Sequence, residues 1–176
     1  MDRAPFSPVT AAAFRRAMIA GARRVIDARE ELNRINVFPV PDGDTGSNLA
    51  STLGNVLQGA LSRRSRHIGE LLVRMGNDAI DGARGNSGAI MAQFLVGLAE
   101  HARHAPELDA ATLAAAVRNG ERSARAALAE PVEGTILSVI DAFAAALEEA
   151  AQAPAADPRG GFDAALQRAR VALART

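Results

Sequence analysis

The chain has 176 residues, 48% of them hydrophobic and 23% charged, a balance that fits one globular domain with its own core and excludes disorder as the overall state. Twenty acidic residues offset twenty basic ones, so no chain-wide basic footprint for nucleic acid exists, and with 3% aromatics and neither Trp nor Tyr there is little to stack bases on. Cysteine is absent and every basic residue is Arg, which removes disulfides, thiolate metal sites, cysteine nucleophiles, a P-loop lysine and Schiff-base chemistry.

In chain order, a first helix is expected to start after Thr10, a suitable N-cap, and to run to about Asn33 with Phe14, Met18, Ala22, Val25 and Leu32 along one face. The segment INVFPVPDGDTG breaks it, because Pro39 and Pro41 disfavour helical geometry in their predecessors and Gly43 and Gly46 permit tight turns. Helical spacing resumes through Leu49, Leu53, Val56, Leu57 and Leu61, and after the polar link SRRSRH through Ile68, Leu71, Leu72, Met75 and Ala79. GARGNSG interrupts again before an apolar helix containing Ile90, Phe94, Leu95 and Leu98, and residues 101–109 read as a loop around Pro106. Helices over about 112–128 and 133–151 follow, then a turn or linker APAADPRGG and a last helix from Phe162 to Arg175. Ala-rich propensity and helical spacing agree on an all-α, antiparallel bundle of about seven helices forming a single domain over residues 1–176. No apolar run approaches the length of a membrane span and the N-terminus has no continuous apolar core, so no integral membrane segment and a cytoplasmic location are expected.

Two interruptions concentrate polar groups ahead of strongly apolar helices. In the first, Asp42 and Asp44 flank Gly43, followed by Thr45, Gly46, Ser47 and Asn48. Two carboxylates one residue apart on a turn suit Mg²⁺, which takes one or two carboxylates and completes its shell with water and phosphate oxygens. The other reading is that Asp44 caps the next helix and Asp42 stabilises the turn. An EF-hand is excluded, since Gly46 and Leu53 stand where ligands would be needed. In the second, Gly85, Asn86, Ser87 and Gly88 open a helix whose free amides and dipole would suit phosphate, or merely form a flexible N-cap. An acidic turn and a phosphate-cradling helix start are the two halves of a magnesium–nucleotide site.

NVFPVPDGDTGSN (36–48), GARGNSG (82–88) and EGTILSV (133–139), in that order, resemble the DhaL-type nucleotide-binding domain of dihydroxyacetone kinase L subunits and of the N-terminal part of bacterial fatty acid kinases. The resemblance implies an antiparallel barrel of eight helices that holds ATP or ADP and two Mg²⁺ ions at one end. It implies metal ligands at Asp42, Asp44 and Asn36, and nucleotide contacts at Thr45, Gly46, Ser47, Asn48, Gly85, Asn86, Ser87, Gly88 and Thr135. Dihydroxyacetone kinases carry Asp where this chain has Asn36 and His where it has Thr45. Both departures point to the fatty acid kinase branch, whose kinase phosphorylates a fatty acid carboxylate presented by a separate acyl-binding protein. The family's late nucleotide-covering loop is not found before Thr176, which implies a truncated chain or a short stand-alone homologue. Expected partners are therefore an acyl-binding substrate protein, further domains of a longer chain, or a second copy in a homodimer. A dihydroxyacetone (glycerone) kinase L-type subunit and a non-catalytic nucleotide-binding module are the alternatives. No catalytic base stands out, and a carboxylate acceptor needs none.

Elsewhere, Glu133 sits favourably near a helix start whatever else it does. His101 and His104 read as a solvated helix end, Asp78 and Asp81 as a polar stripe or added charge near the metals, and Arg63, Arg64 and Arg66 as a solvated loop. Arg84 is either a phosphate contact or an exposed charge.

Overall fold

Ala-rich amphipathic segments become helices wherever the expected apolar faces occur, and the computed structural model describes residues 7–38, 40–153 and 156–176. The expectations placed on residues 1–6, on Pro39 and on linker residues 154–155 lie outside the described residues. Eight α-helices are seen among those described: α1 (Ala11–Asp27), α2 (Arg29–Arg34), α3 (Thr45–Gln58), α4 (Ile68–Gly82), α5 (Gly85–Ala102), α6 (Ala110–Ala126), α7 (Ile136–Ala151) and α8 (Pro158–Leu173). A 3-10 turn at Ala60–Ser62 follows α3, and the two-residue strands β1 (Val9–Thr10) and β2 (Glu107–Leu108) pair antiparallel, Val9 opposite Leu108. The all-α expectation therefore holds apart from this short ribbon, which binds the start of α1 to the loop after α5.

Four boundaries differ from the sequence reading, each for a local reason. Helix α7 starts at Ile136 rather than at 133, because Gly134 turns the chain at φ +77° and Thr135 caps the helix. The expected first helix is two: at Ala28 the backbone turns (φ −83°, ψ 6°), and the short α2 swings Asn33 over the start of α3. Leu61 belongs not to α3 but to the 3-10 turn, which still buries it. The last helix begins at Pro158 rather than Phe162, because Asp157 accepts hydrogen bonds from the amides of Arg159 and Gly160 and Pro158 occupies the first helical position.

The core is a continuous set of aliphatic side chains, with Val56, Ile68, Leu71, Leu72, Met75 and Leu108 fully inaccessible. Each such side chain contributes about 1.5–3 kcal/mol on burial. From α3 onward helices consecutive in the chain run antiparallel, and glycines mark where their backbones come together. Gly69 near the start of α4 abuts the carbonyls of Ala102 and Arg103 at the end of α5, while Gly76 packs on Val96. Gly97 of α5 meets Asn119 and Ser123 of α6, Gly120 meets Phe94, and Gly161 of α8 meets Ala150 of α7. Arg125 near the end of α6 pairs with Glu133 just before α7. This alternation brings the N-termini of α3, α5 and α7 to one end of the bundle. Among the described residues, no helix is long and apolar enough to cross a membrane.

Candidate functional site

The first turn of α3 is organised by two asparagines rather than by an aspartate. The Asn36 side-chain oxygen accepts from the Thr45 amide (3.1 Å) and from the Thr45 hydroxyl (2.7 Å), while its NH₂ donates to the Val40 carbonyl (2.9 Å). The Asn33 oxygen accepts from the Ser47 amide (3.0 Å), and its NH₂ donates to the Ser47 hydroxyl (2.9 Å). Gly46 lies where a side chain would collide with the Arg29 carbonyl, so the start of α3 is pressed against α2. Asp44 occupies the N-cap position, yet its side chain makes no capping bond. The Asp44 carbonyl accepts from the Asn48 amide (2.9 Å), but neither the Asp42 nor the Asp44 carboxylate has a hydrogen-bond or ion-pair partner among the described residues. Gly43, at φ +65°, turns the chain between them in a conformation that costs other residues strain. The capping reading of Asp44 is therefore set aside: both carboxylates stay free on a turn held in shape by neutral amides.

The second loop lies directly beside the first. Gly85 adopts φ +55°, and a Cβ there would overlap the Asn48 side chain; a Cβ at Gly88 would press on the Thr52 hydroxyl (2.8 Å) and one at Gly82 on Asn55 (2.6 Å). The Ser87 hydroxyl donates to the Thr45 carbonyl (3.3 Å), and Ser51 donates to the Gly82 carbonyl (3.0 Å). These contacts join the starts of α3 and α5. The first amide of α5 to close a helical bond is that of Gly88, to the Arg84 carbonyl (3.1 Å). The amides of Gly85, Asn86 and Ser87 thus have no acceptor among the described residues, whereas α3 already uses those of Thr45 and Ser47. Beneath this surface Asn48 is 9% exposed, and its NH₂ is buried without a partner. A buried donor left unpaired costs about 1–3 kcal/mol, and this one lies against Gly85, whose amide is also free.

The start of α7 lies near the same end. Leu137 joins Ile90 and Ala124 in a small apolar cluster, and Ile90 is about 7 Å along α5 from Gly85. Thr135 caps α7: its hydroxyl accepts from the Leu137 amide (3.3 Å) and donates to the Val132 carbonyl (2.8 Å).

A match to the DAK2 domain covers residues 39–176. The chain belongs to the DAK2 domain family. Uncharacterized proteins of Staphylococcus aureus strains USA300 and COL are each 36% identical to it over 145 residues, 82% of this chain and 26% of theirs. A counterpart from the bovine strain RF122 matches to the same extent. The chain thus spans about a quarter of the length of these relatives. DAK2 domains are dihydroxyacetone-kinase-like, bind ADP or ATP, and are associated with kinase activity.

The polar groups of this DAK2 domain fit a magnesium–nucleotide complex: unpartnered carboxylates for a hard cation, and unpartnered amides plus the buried Asn48 NH₂ for phosphate oxygens. Among the described residues no group of three His, Cys, Asp or Glu side chains stands close enough together to hold a metal ion. The remaining candidates stand apart. Asp78 accepts from the Ala60 amide one turn further along and braces the 3-10 turn. The Arg84 guanidinium folds onto the Ala83 carbonyl (2.6 Å) and is exposed. His101, His104 and Arg63, Arg64 and Arg66 are exposed at the far end, as a solvated reading requires. Sequence reasoning missed Asn33, whose signal was its place one helical turn before Asn36 in a segment assigned to the first helix. Four exposed apolar side chains, Ile35, Val37, Phe38 and Val40, occupy the loop leading to the acidic turn. A cleft of about 540 Å³ opens on the other flank of α3, between Ile26, Arg29, Ser47 and Leu57.

Proposed function

We propose that this domain binds Mg-ATP at the joined starts of α3 and α5 and transfers the γ-phosphoryl group to a fatty acid carboxylate held by a separate acyl-binding protein. The observation that carries the reading is the Ser87–Thr45 bond, which sets the free amides of α5 beside the turn bearing Asp42 and Asp44. In this reading Gly85, Asn86 and Ser87 donate to phosphate oxygens and Asn48 supplies a further donor from below. Asp42 and Asp44 hold the magnesium. Asn36 positions the turn, because an amide oxygen accepting two hydrogen bonds has both lone pairs engaged. Bound Mg²⁺ supplies charge neutralisation on the phosphates, which together with positioning is most of what phosphoryl transfer requires. A carboxylate acceptor is already nucleophilic near neutral pH, so the absence of a suitably placed base is no obstacle.

The choice of acceptor is supported by Asn36 and Thr45. These are the two positions at which the chain departs from the dihydroxyacetone kinase pattern, and here they bond to each other, so they form a matched pair. Calorimetric titration of Mg-ATP into the wild type and the variants Asp42→Ala and Asp44→Ala tests the site: binding is expected in the wild type and a loss of at least tenfold in each variant. Equal binding by all three would remove the metal assignment. Release of ADP only when fatty acid and an acyl-binding protein are both present supports the acceptor, and turnover of dihydroxyacetone instead would overturn it.

A further inference from the structure

The two halves of the site are each held in shape without the other's ligand. On the acidic side, Asn33 and Asn36 fix the turn through neutral amides. On the other side, the Ser87 hydroxyl on the Thr45 carbonyl, the Ser51 hydroxyl on the Gly82 carbonyl and the close approach of Gly85 to Asn48 fix the start of α5. None of these contacts passes through the Asp42 or Asp44 carboxylate.

The start of α5 lacks what closes the starts of other helices. Thr10, Asp109, Thr135 and Asp157 cap α1, α6, α7 and α8 with side-chain oxygens. Helix α5, 18 residues long, has neither a side-chain cap nor an acidic residue in its first turn. Arg84, the charged side chain of the loop, turns back onto the Asp81 and Ala83 carbonyls. By itself this would be ordinary, since water satisfies exposed amides. What distinguishes it is the Asn48 carboxamide of α3, which is 9% exposed, has a buried NH₂ without a partner, and lies where a Cβ on Gly85 would collide with that nitrogen. The buried NH₂ and the amides of Gly85, Asn86 and Ser87 stand together as neutral donors with no acceptor among the described residues. Such a set, at the positive end of a long helix, suits an oxyanion and needs no metal to complete it.

Resting on the reading above for the identity of that oxyanion, we infer that the start of α5 with Asn48 is a phosphate site that fills without magnesium, so that inorganic phosphate occupies it and competes with Mg-ATP. The Ser87–Thr45 bond keeps the acidic turn nearby, and its carboxylates repel an anion when no cation lies between them. Metal-free phosphate therefore binds weakly, in the millimolar range. The two aspartates act in opposite senses, helping Mg-ATP and hindering free phosphate.

The test titrates inorganic phosphate in the presence of a chelator and follows the amide and side-chain NH₂ resonances of the wild type. Those of Gly85, Asn86 and Ser87 and the Asn48 NH₂ are expected to shift together and to saturate, while those of α8 stay in place. Asn48→Leu, which puts an apolar group of similar shape in place of the unpaired donor, is expected to weaken phosphate binding about fivefold or more and to melt no lower than the wild type in phosphate-free buffer. A carboxamide with a purely structural role would give the reverse, lost stability with unchanged affinity. Asp44→Ala is expected to bind phosphate about twofold or more tightly while binding Mg-ATP more weakly. Phosphate that moves none of these resonances without Mg²⁺, unchanged phosphate affinity in Asn48→Leu, or equal or weaker phosphate binding by Asp44→Ala would overturn the inference. The wild-type titration decides even where a variant fails to fold. Phosphate binding by a wild type that takes no Mg-ATP would overturn the nucleotide reading and leave the anion site standing, and Mg-ATP binding without metal-free phosphate binding would do the opposite.

Discussion

Single residues at the site divide into those that shape it and those free to act. Gly85 shapes it: its positive φ and the Asn48 side chain against it leave no room for a Cβ. Gly85→Ala is expected to cost roughly 1–3 kcal/mol in denaturant unfolding and to impair Mg-ATP binding. Asp42 and Asp44 are free: neither carboxylate holds the fold together, so Asp→Asn at either position should leave unfolding unchanged while weakening magnesium-dependent binding. A parallel loss of stability would show that these carboxylates have an internal partner after all. The sequence made the free pair legible through its Asp-Gly-Asp spacing. It could not show that Asn33 and Asn36 do the capping, because that depends on a break at Ala28 which composition does not mark.

Helix ends and helix pairs respond to pH and charge in ways that individual contacts predict. Asp109 accepts from the Thr112 amide at the start of α6, and this bond holds its carboxyl below the usual carboxylate value. The cap's contribution is therefore complete at neutral pH and is lost as the medium is acidified through about pH 4 and below. Asp109→Ala should cost roughly 0.5–2 kcal/mol at pH 7 and progressively less under acid, as followed by thermal melts across pH. A loss that grew on acidification would contradict this account. Between α6 and α7, Arg118 meets Glu121, Asp141 and Glu148 at 3.3, 2.7 and 2.8 Å with its own side chain 16% exposed. Arg118→Ala, which leaves the buried Glu121 short of a partner, should cost about 2–4 kcal/mol, more than loss of an exposed ion pair. Helix existence was legible from apolar spacing throughout. The start of α8 was not, because the paired Gly160 and Gly161 obscured the Asp157–Pro158 signal that begins it.

Across the whole molecule, packing is uneven. Helices α4 and α5 lie in the main core, whereas α8 packs chiefly on α7 and leaves Phe162, Leu166, Val171 and Leu173 exposed. Hydrogen exchange should accordingly release α8 amides well before those of α4 and α5, and equal protection of all three would refute that ranking. That the two motif loops share one end follows from the number of antiparallel turns between them, which the sequence reading supplied. How closely they approach depends on glycine-scale contacts that no spacing pattern reveals. The neutral scaffolding of the acidic turn has a consequence of its own. Carboxamides carry no net charge, so the bonds that give the turn its outline are indifferent to salt, and a chelator that strips a held cation would leave an emptied cradle ready for refilling.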